Sequence, residues 1–144
     1  MAAEPPGFHL EGRAELALVD RALDELELLW TRTPDVPAED RILFGLALSE
    51  VMTNVSQHSS GVEVTMSVDV RASRDALRAE ITDSAAPATI DWDGVAMPDQ
   101  ESESGRGLAL AVAALDQFDH ANDRGGNTWV LVRRLRAQGT DPSV

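Results

Sequence analysis

The 144-residue chain has no cysteine. Disulfides, thiolate-bound metals and a thiol nucleophile are therefore excluded together. Lysine is absent as well, and all 12 basic residues are arginine. That bias reads as codon usage rather than mechanism, but it rules out a Gly-x-x-x-x-Gly-Lys phosphate loop. No basic cluster is longer than Arg133-Arg134-Leu135-Arg136, so direct nucleic-acid binding is not expected. No apolar run approaches the roughly 20 residues that span a bilayer, and no membrane partner is expected. Met1–Pro6 has neither the basic nor the apolar region of a secretion signal. A cytoplasmic protein is the expectation.

What the chain does have is acid: 25 carboxylates and a net charge of −13. A field of that sign speeds encounter with basic partners and repels acidic ones. Hydrophobic residues make up 43 %, the level of a folded domain rather than a disordered one. The length suits one domain with one modest core, here residues 1–144, with a core over about 8–136 and a polar tail at 137–144.

Hydrophobic periodicity places the elements. Gly7–Glu11 suits a short edge strand. Arg13–Thr31 predicts an amphipathic helix with Leu16, Val19, Leu23, Leu26 and Trp30 on its buried stripe. After Thr33-Pro34-Asp35-Val36-Pro37, a second helix over Pro37–His58 is apolar nearly all round, from Ile42 to Val55, and should be buried on several sides. From Val62 to Val70, apolar residues alternate with polar ones, and Leu77, Ala79 and Ile81 repeat the pattern after a turn at Ala72–Asp75. The two runs predict an antiparallel hairpin. Ser84–Ser104 loses all periodicity, holds two prolines and no base, and reads as a lid or binding loop. A third helix over about Gly105–Leu115, a strand at Phe118–Asn122, a turn at Gly125-Gly126 and a buried strand at Thr128–Leu135 complete the order. The predicted class is α+β: a two-layer sandwich, with a mixed, mostly antiparallel sheet carrying helices on one face.

Three places combine polar chemistry with positions that should face inward. Glu50 and Asn54 stand one turn apart on the second helix, sharing a face with Leu43 and Ala47. A buried carboxylate and amide cost free energy unless paired or bound to a cation, so they are either a structural hydrogen-bond pair or a site. His58 continues that face, or interacts with the helix terminus. Asp83 follows Leu77, Ala79 and Ile81 at period two and inherits their inward side, as a ligand reader or as a turn cap. Gly105-Arg106-Gly107-Leu108 opens the third helix. It is either a tight turn or a place where backbone N–H groups meet an anion, with Arg106 adding a charged contact.

Taken in order, these segments resemble the GHKL ATPase superfamily. Leu48-Ser49-Glu50-Val51-Met52-Thr53-Asn54 resembles its N-box and Ile81-Thr82-Asp83 its adenine-reading strand end. Gly105-Arg106-Gly107-Leu108 resembles its second glycine box, and Gly126-Asn127-Thr128-Trp129-Val130 its closing strand with a threonine. The small size and the Glu50/Asn54 pair are most similar to bacterial anti-sigma factor serine/threonine kinases of the RsbW type.

The resemblance implies ATP and Mg²⁺ as cofactors. Asn54 would hold the Mg²⁺, and His58 would lie beside it in the nucleotide site. Glu50 would be the catalytic base. Asp83 would accept the adenine amino group, supported by Thr128 through water. Gly105, Arg106, Gly107 and Leu108 would wrap the phosphates. It further implies an anti-anti-sigma (STAS-type) protein as phosphorylation partner, a sigma factor as sequestered partner, and compatibility with a homodimer. One departure stands out: where the family has Asp-x-Gly-x-Gly, this chain reads Asp83-Ser84-Ala85-Ala86-Pro87, so Ala85 sits where the pocket expects glycine. The alternative reading is a non-catalytic nucleotide-binding or partner-binding module of the same fold. A detached histidine-kinase catalytic domain is a third, with no dimerisation helix carrying a phospho-accepting histidine to support it.

Overall fold

The structure is a computed structural model that describes residues 5–57, 63–84, 103–123 and 126–135, and of residues 103–107 and 123 the backbone alone. Chain order runs β1 (Gly7–Arg13), α1 (Leu16–Arg32), α2 (Ala38–Gln57), β2 (Thr65–Ala72), β3 (Ala76–Asp83), α3 (Glu103–Ala113), β4 (Gln117–Asp123) and β5 (Gly126–Arg134). The five strands form one sheet in the order β1-β2-β3-β5-β4. All four pairings are antiparallel, so the sheet is uniformly antiparallel where a mixed one was expected.

The alternation read from the sequence is what builds the core. Met66, Val68 and Val70 of β2 and Leu77, Ala79 and Ile81 of β3 are fully or almost fully buried. They share one cluster with Trp129 and Leu131 of β5 and with the inner faces of the three helices. The opposite face carries Thr65, Ser67, Asp69 and Arg71 from β2. The β2–β3 hairpin closes at Ser73, whose N–H donates to Ala76 O at 2.9 Å and whose Oγ accepts from the N–H groups of Asp75 and Ala76. Both strands keep strict alternation, so one turn register puts Met66, Val68, Val70, Leu77, Ala79 and Ile81 inside together.

Two apolar residues leave the core they were expected to join. Leu16 is 60 % exposed, whereas Leu18, Ala22 and Leu29 are buried beside Val19, Leu26 and Trp30. Leu16 opens α1, and a helical side chain leans over the turn N-terminal to it; there is no such turn at the first residue. Ile42 is 69 % exposed. The inner side of α2 is instead filled by Phe44, Ala47, Leu48, Val51, Met52 and Val55, with Phe44 meeting Trp30 edge-on at 6.5 Å. The α1–α2 connection is held by Arg41, whose guanidinium donates to Val36 O at 2.8 Å and Pro34 O at 3.1 Å. The expected lid lies outside the described residues except for Ser84 and for Glu103 and Ser104, which already belong to α3. The 137–144 tail also lies outside them.

One side chain fastens three elements. Arg133 of β5 donates through Nε to Asp40 Oδ1 in the first turn of α2 at 2.6 Å, and through Nη1 to Ala114 O, just past the end of α3, at 2.7 Å. Their side chains are only 19 % and 13 % exposed. Removing one partner strands the other charge in a poorly hydrated place. Arg133→Met should therefore cost roughly 2–3 kcal/mol in urea unfolding, somewhat below the cost for a fully buried pair. Adding Asp40→Ala should recover part of that loss, and a purely additive double variant would exclude the coupling.

On the outer sheet face, His9 of β1 lies 3.2 Å from Glu11 Oε1 and 3.3 Å from Asp69 Oδ2. The hydrogen bond to Glu11 raises its pKa above the ordinary value of 6.5; burial opposes the rise, and Asp69 adds to it. Because the folded-state pKa is the higher one, this stabilisation is complete below the unfolded pKa and disappears as pH rises through the folded one. The imidazole is half exposed, so solvent limits the effect to a few tenths of a kcal/mol. The stability gap between wild type and His9→Gln should be open at pH 5 and closed at pH 9. A gap independent of pH would assign it to packing.

Candidate functional site

Asp83 ends β3 on the inward side and is 6 % exposed. A buried carboxylate needs donors, and register supplies them. Asp83 is paired directly with Asn127, and Ile81 with Trp129, so Asn127 stands opposite the carboxylate and Trp129 diagonal to it on the same face. Asn127 Nδ2 donates to Asp83 Oδ1 at 2.9 Å, and Trp129 Nε1 donates to Oδ2 at 3.1 Å. From the edge strand, His120 Nε2 lies 2.9 Å from Asn127 Oδ1. Since the Asn127 amide N–H faces the carboxylate, its oxygen faces the imidazole, and this hydrogen-bond pattern assigns the proton to His120 Nε2. His120 also stacks on the Trp129 indole at 4.1 Å and 29°, and Phe118 meets the same indole edge-on at 6.1 Å. Five side chains from three strands, Asp83, Asn127, Trp129, His120 and Phe118, thus form one hydrogen-bonded and stacked unit.

Gly126 makes the close approach at this corner possible. Its φ is +132°, and a Cβ there would lie 1.8 Å from the backbone oxygen of Asp83. Asp83 also lines a cleft of about 500 Å³, together with Glu11, Thr65, Ser67, Thr82 and Ser84. The cleft hydroxyls bond one another: Ser67 with Thr82, and Thr65 with Ser84.

The helical half of the site lies on α2 and α3, which pack side by side, with α2 also touching β3 and β5. Glu50 and Asn54 are both half-buried on α2, next to the buried Val51 and Val55. Leu108 is buried in the core. Gly105, Arg106 and Gly107 fall inside α3 rather than in a turn before it, because the helix begins at Glu103. By helix geometry, the amides without an intrahelical acceptor are then those of residues 103–106. His58 and Ala85 lie outside the described residues.

Thr128 lies elsewhere than expected. It pairs with Thr82 and Ala121 on the outward side of the sheet, one pleat away from Asp83, and the position beside the carboxylate belongs to Asn127. The sequence reading passed over Asn127, Trp129 and His120. The available signal was the alternation Asn127-Trp129-Leu131, which shares the inward side once Leu131 is assigned to the core.

A family model described as the histidine kinase-like ATPase domain matches residues 12–133. No curated protein matches the sequence significantly. Among solved structures, the crystal structure of the RsbU and RsbW domains of Rv1364c from Mycobacterium tuberculosis superposes with a TM-score of 0.62 at 18 % identity, covering 90 % of this chain and 32 % of that one. The histidine kinase domain of the blue-light activated histidine kinase EL346 from Erythrobacter litoralis superposes with a TM-score of 0.53 at 23 % identity, covering 83 % of this chain and 60 % of that one. The chain thus spans about a third of the first of these proteins and three-fifths of the second, and both share its fold. With the family model matching residues 12–133, from the end of β1 into β5, the chain belongs to the histidine kinase-like ATPase domain family, the GHKL superfamily of its sequence motifs.

Proposed function

We propose that this domain binds ATP with Mg²⁺ and acts as a protein-serine/threonine kinase on an anti-anti-sigma (STAS-type) partner, while holding a sigma factor in the alternative complex. The observation that carries the reading is the Glu50/Asn54 pair, half-buried one turn apart on α2 in a domain of this family. The resemblance to RsbW-type kinases and the likeness to a structure containing an RsbW domain support the choice of partners. The net charge of −13 favours a partner with basic faces.

The donor chemistry suits the nucleotide. Asn54 offers an amide oxygen, a hard ligand of the kind Mg²⁺ takes. Asp83 offers a carboxylate for an amino group, and the first turn of α3 offers backbone amides for phosphate oxygens. When bound, ATP supplies the phosphoryl group and Mg²⁺ the neutralising charge. Glu50 accepts the proton of the partner's serine or threonine hydroxyl at a carboxylate oxygen. The remaining work of the chain is to position and to exclude water.

The second reading, a binding module without transfer, has an observation of its own. Asp83-Ser84-Ala85-Ala86-Pro87 lacks the glycines of the family's first glycine box. Calorimetry with ATP and ADP, with and without Mg²⁺, combined with single-turnover transfer from labelled ATP to the anti-anti-sigma protein, decides between the two. Mg²⁺-dependent binding with transfer supports the kinase. Partner binding without transfer would hand the function to the module.

A further inference from the structure

A carboxylate that reads an amino group has to offer it an unshared acceptor site. In this chain Asp83 Oδ2 already accepts from the indole of Trp129 at 3.1 Å, while Oδ1 accepts from Asn127 at 2.9 Å. Like an aminopurine, the indole presents an N–H donor at the rim of a flat bicyclic ring. It is also held as a bound base is held, stacked on His120 at 4.1 Å and met edge-on by Phe118 at 6.1 Å. Trp129 is 2 % exposed and Asp83 6 % exposed, so a second donor reaches Oδ2 only by displacing what covers it.

Resting on the nucleotide-binding reading above, we infer that Trp129 is a built-in competitor for the nucleobase: its indole holds the Asp83 hydrogen bond that an adenine amino group requires, and it thereby sets the affinity of this domain for adenine nucleotides. A ligand that binds only when the indole has moved away sees its affinity reduced by the fraction of molecules in that state. One hydrogen bond to a charged group corresponds to about one to two decades in that fraction. Binding exchanges one N–H donor for another at the same oxygen, so no charge is left unpaired at either end of the equilibrium.

The competitor role separates from a packing role because the two move stability and affinity differently. Trp129→Phe keeps an aromatic ring against His120 and removes the N–H, and Trp129→Val removes the ring as well. Both variants of the full chain should melt at lower temperature than wild type when free, because Asp83 loses a donor. Both should bind ATP·Mg²⁺ about 10- to 100-fold more tightly by calorimetry. In wild type, the ¹⁵N-indole resonance of Trp129 should shift as ATP·Mg²⁺ is added, a readout that requires no variant to fold. If wild type binds ATP while the variants bind it equally or less tightly, or if the indole resonance stays fixed at saturation, the inference is overturned and the nucleotide-binding reading stands. If neither wild type nor folded variants bind ATP or ADP, that reading falls and the inference falls with it.

Discussion

Glu50→Gln should abolish phosphoryl transfer while leaving nucleotide and partner binding nearly unchanged. The amide preserves the size and half-buried packing of the side chain on α2, but it cannot take up the hydroxyl proton. Loss of a general base lowers the rate by about 10²–10⁴-fold. Asn54→Ala, one turn further along the same helix, should act at an earlier step. It removes an oxygen that would hold Mg²⁺, so Mg²⁺-dependent nucleotide binding is lost and transfer is lost with it. Calorimetry and single-turnover transfer on the two variants separate binding from chemistry. Equal transfer by wild type and Glu50→Gln would remove Glu50 from the reaction.

The second large effect is on stability. Gly126 starts β5 at φ +132°, and a Cβ added there would lie 1.8 Å from Asp83 O, 2.8 Å from Asp83 C and 3.0 Å from Ser84 Cα. All three obstacles are backbone, so no side chain can rotate out of the way. Gly126→Ala combines a disfavoured dihedral, at about 1–3 kcal/mol, with an overpacking cost of similar size. Roughly 2–6 kcal/mol should be lost in urea unfolding, a large part of the stability of a small domain. The strain falls on the β3–β5 corner, so the hydrogen bonds of Asp83 should also loosen, which the indole resonance of Trp129 would report. A variant within half a kcal/mol of wild type would mean that the corner relaxes freely.

The elements most legible in the sequence are those with strict alternation. β2 and β3 show it because one of their faces packs on helices and the other does not, and the inward side of Asp83 follows from the same count. Helix limits were harder to read. α3 begins at Glu103, two residues before Gly105, where it was expected to open, because glycine is tolerated in a first turn where few intrahelical bonds are at stake. Helix faces failed at Leu16 and Ile42 for a related reason: an apolar residue at a helix end, or on a helix with apolar residues all round, carries no label for the side that is buried.

The partners of Asp83 were hidden differently. β3 and β5 are not joined by a turn, so no local signal sets their register, and a one-residue slip exchanges Asn127 for Thr128 at the carboxylate. Nothing in the local sequence singles out His120. Its neighbours Asn127 and Trp129 come from the adjacent strand, and they are a hydrogen-bond acceptor and a stacking surface rather than ligands.

The strand order has a consequence for when the site comes into being. β2 pairs with β3, and β4 with β5, each through a short connection, whereas Asp83 meets Asn127 and Trp129 across 44 and 46 positions of chain. Hairpins close before distant segments meet, because the entropy lost in closing a loop grows with its length. Asp83 therefore has neither of these donors until the two hairpins join along β3 and β5, and the same event that completes the sheet assembles the carboxylate unit. A chain arrested one step short of folding would hold two intact hairpins and no site.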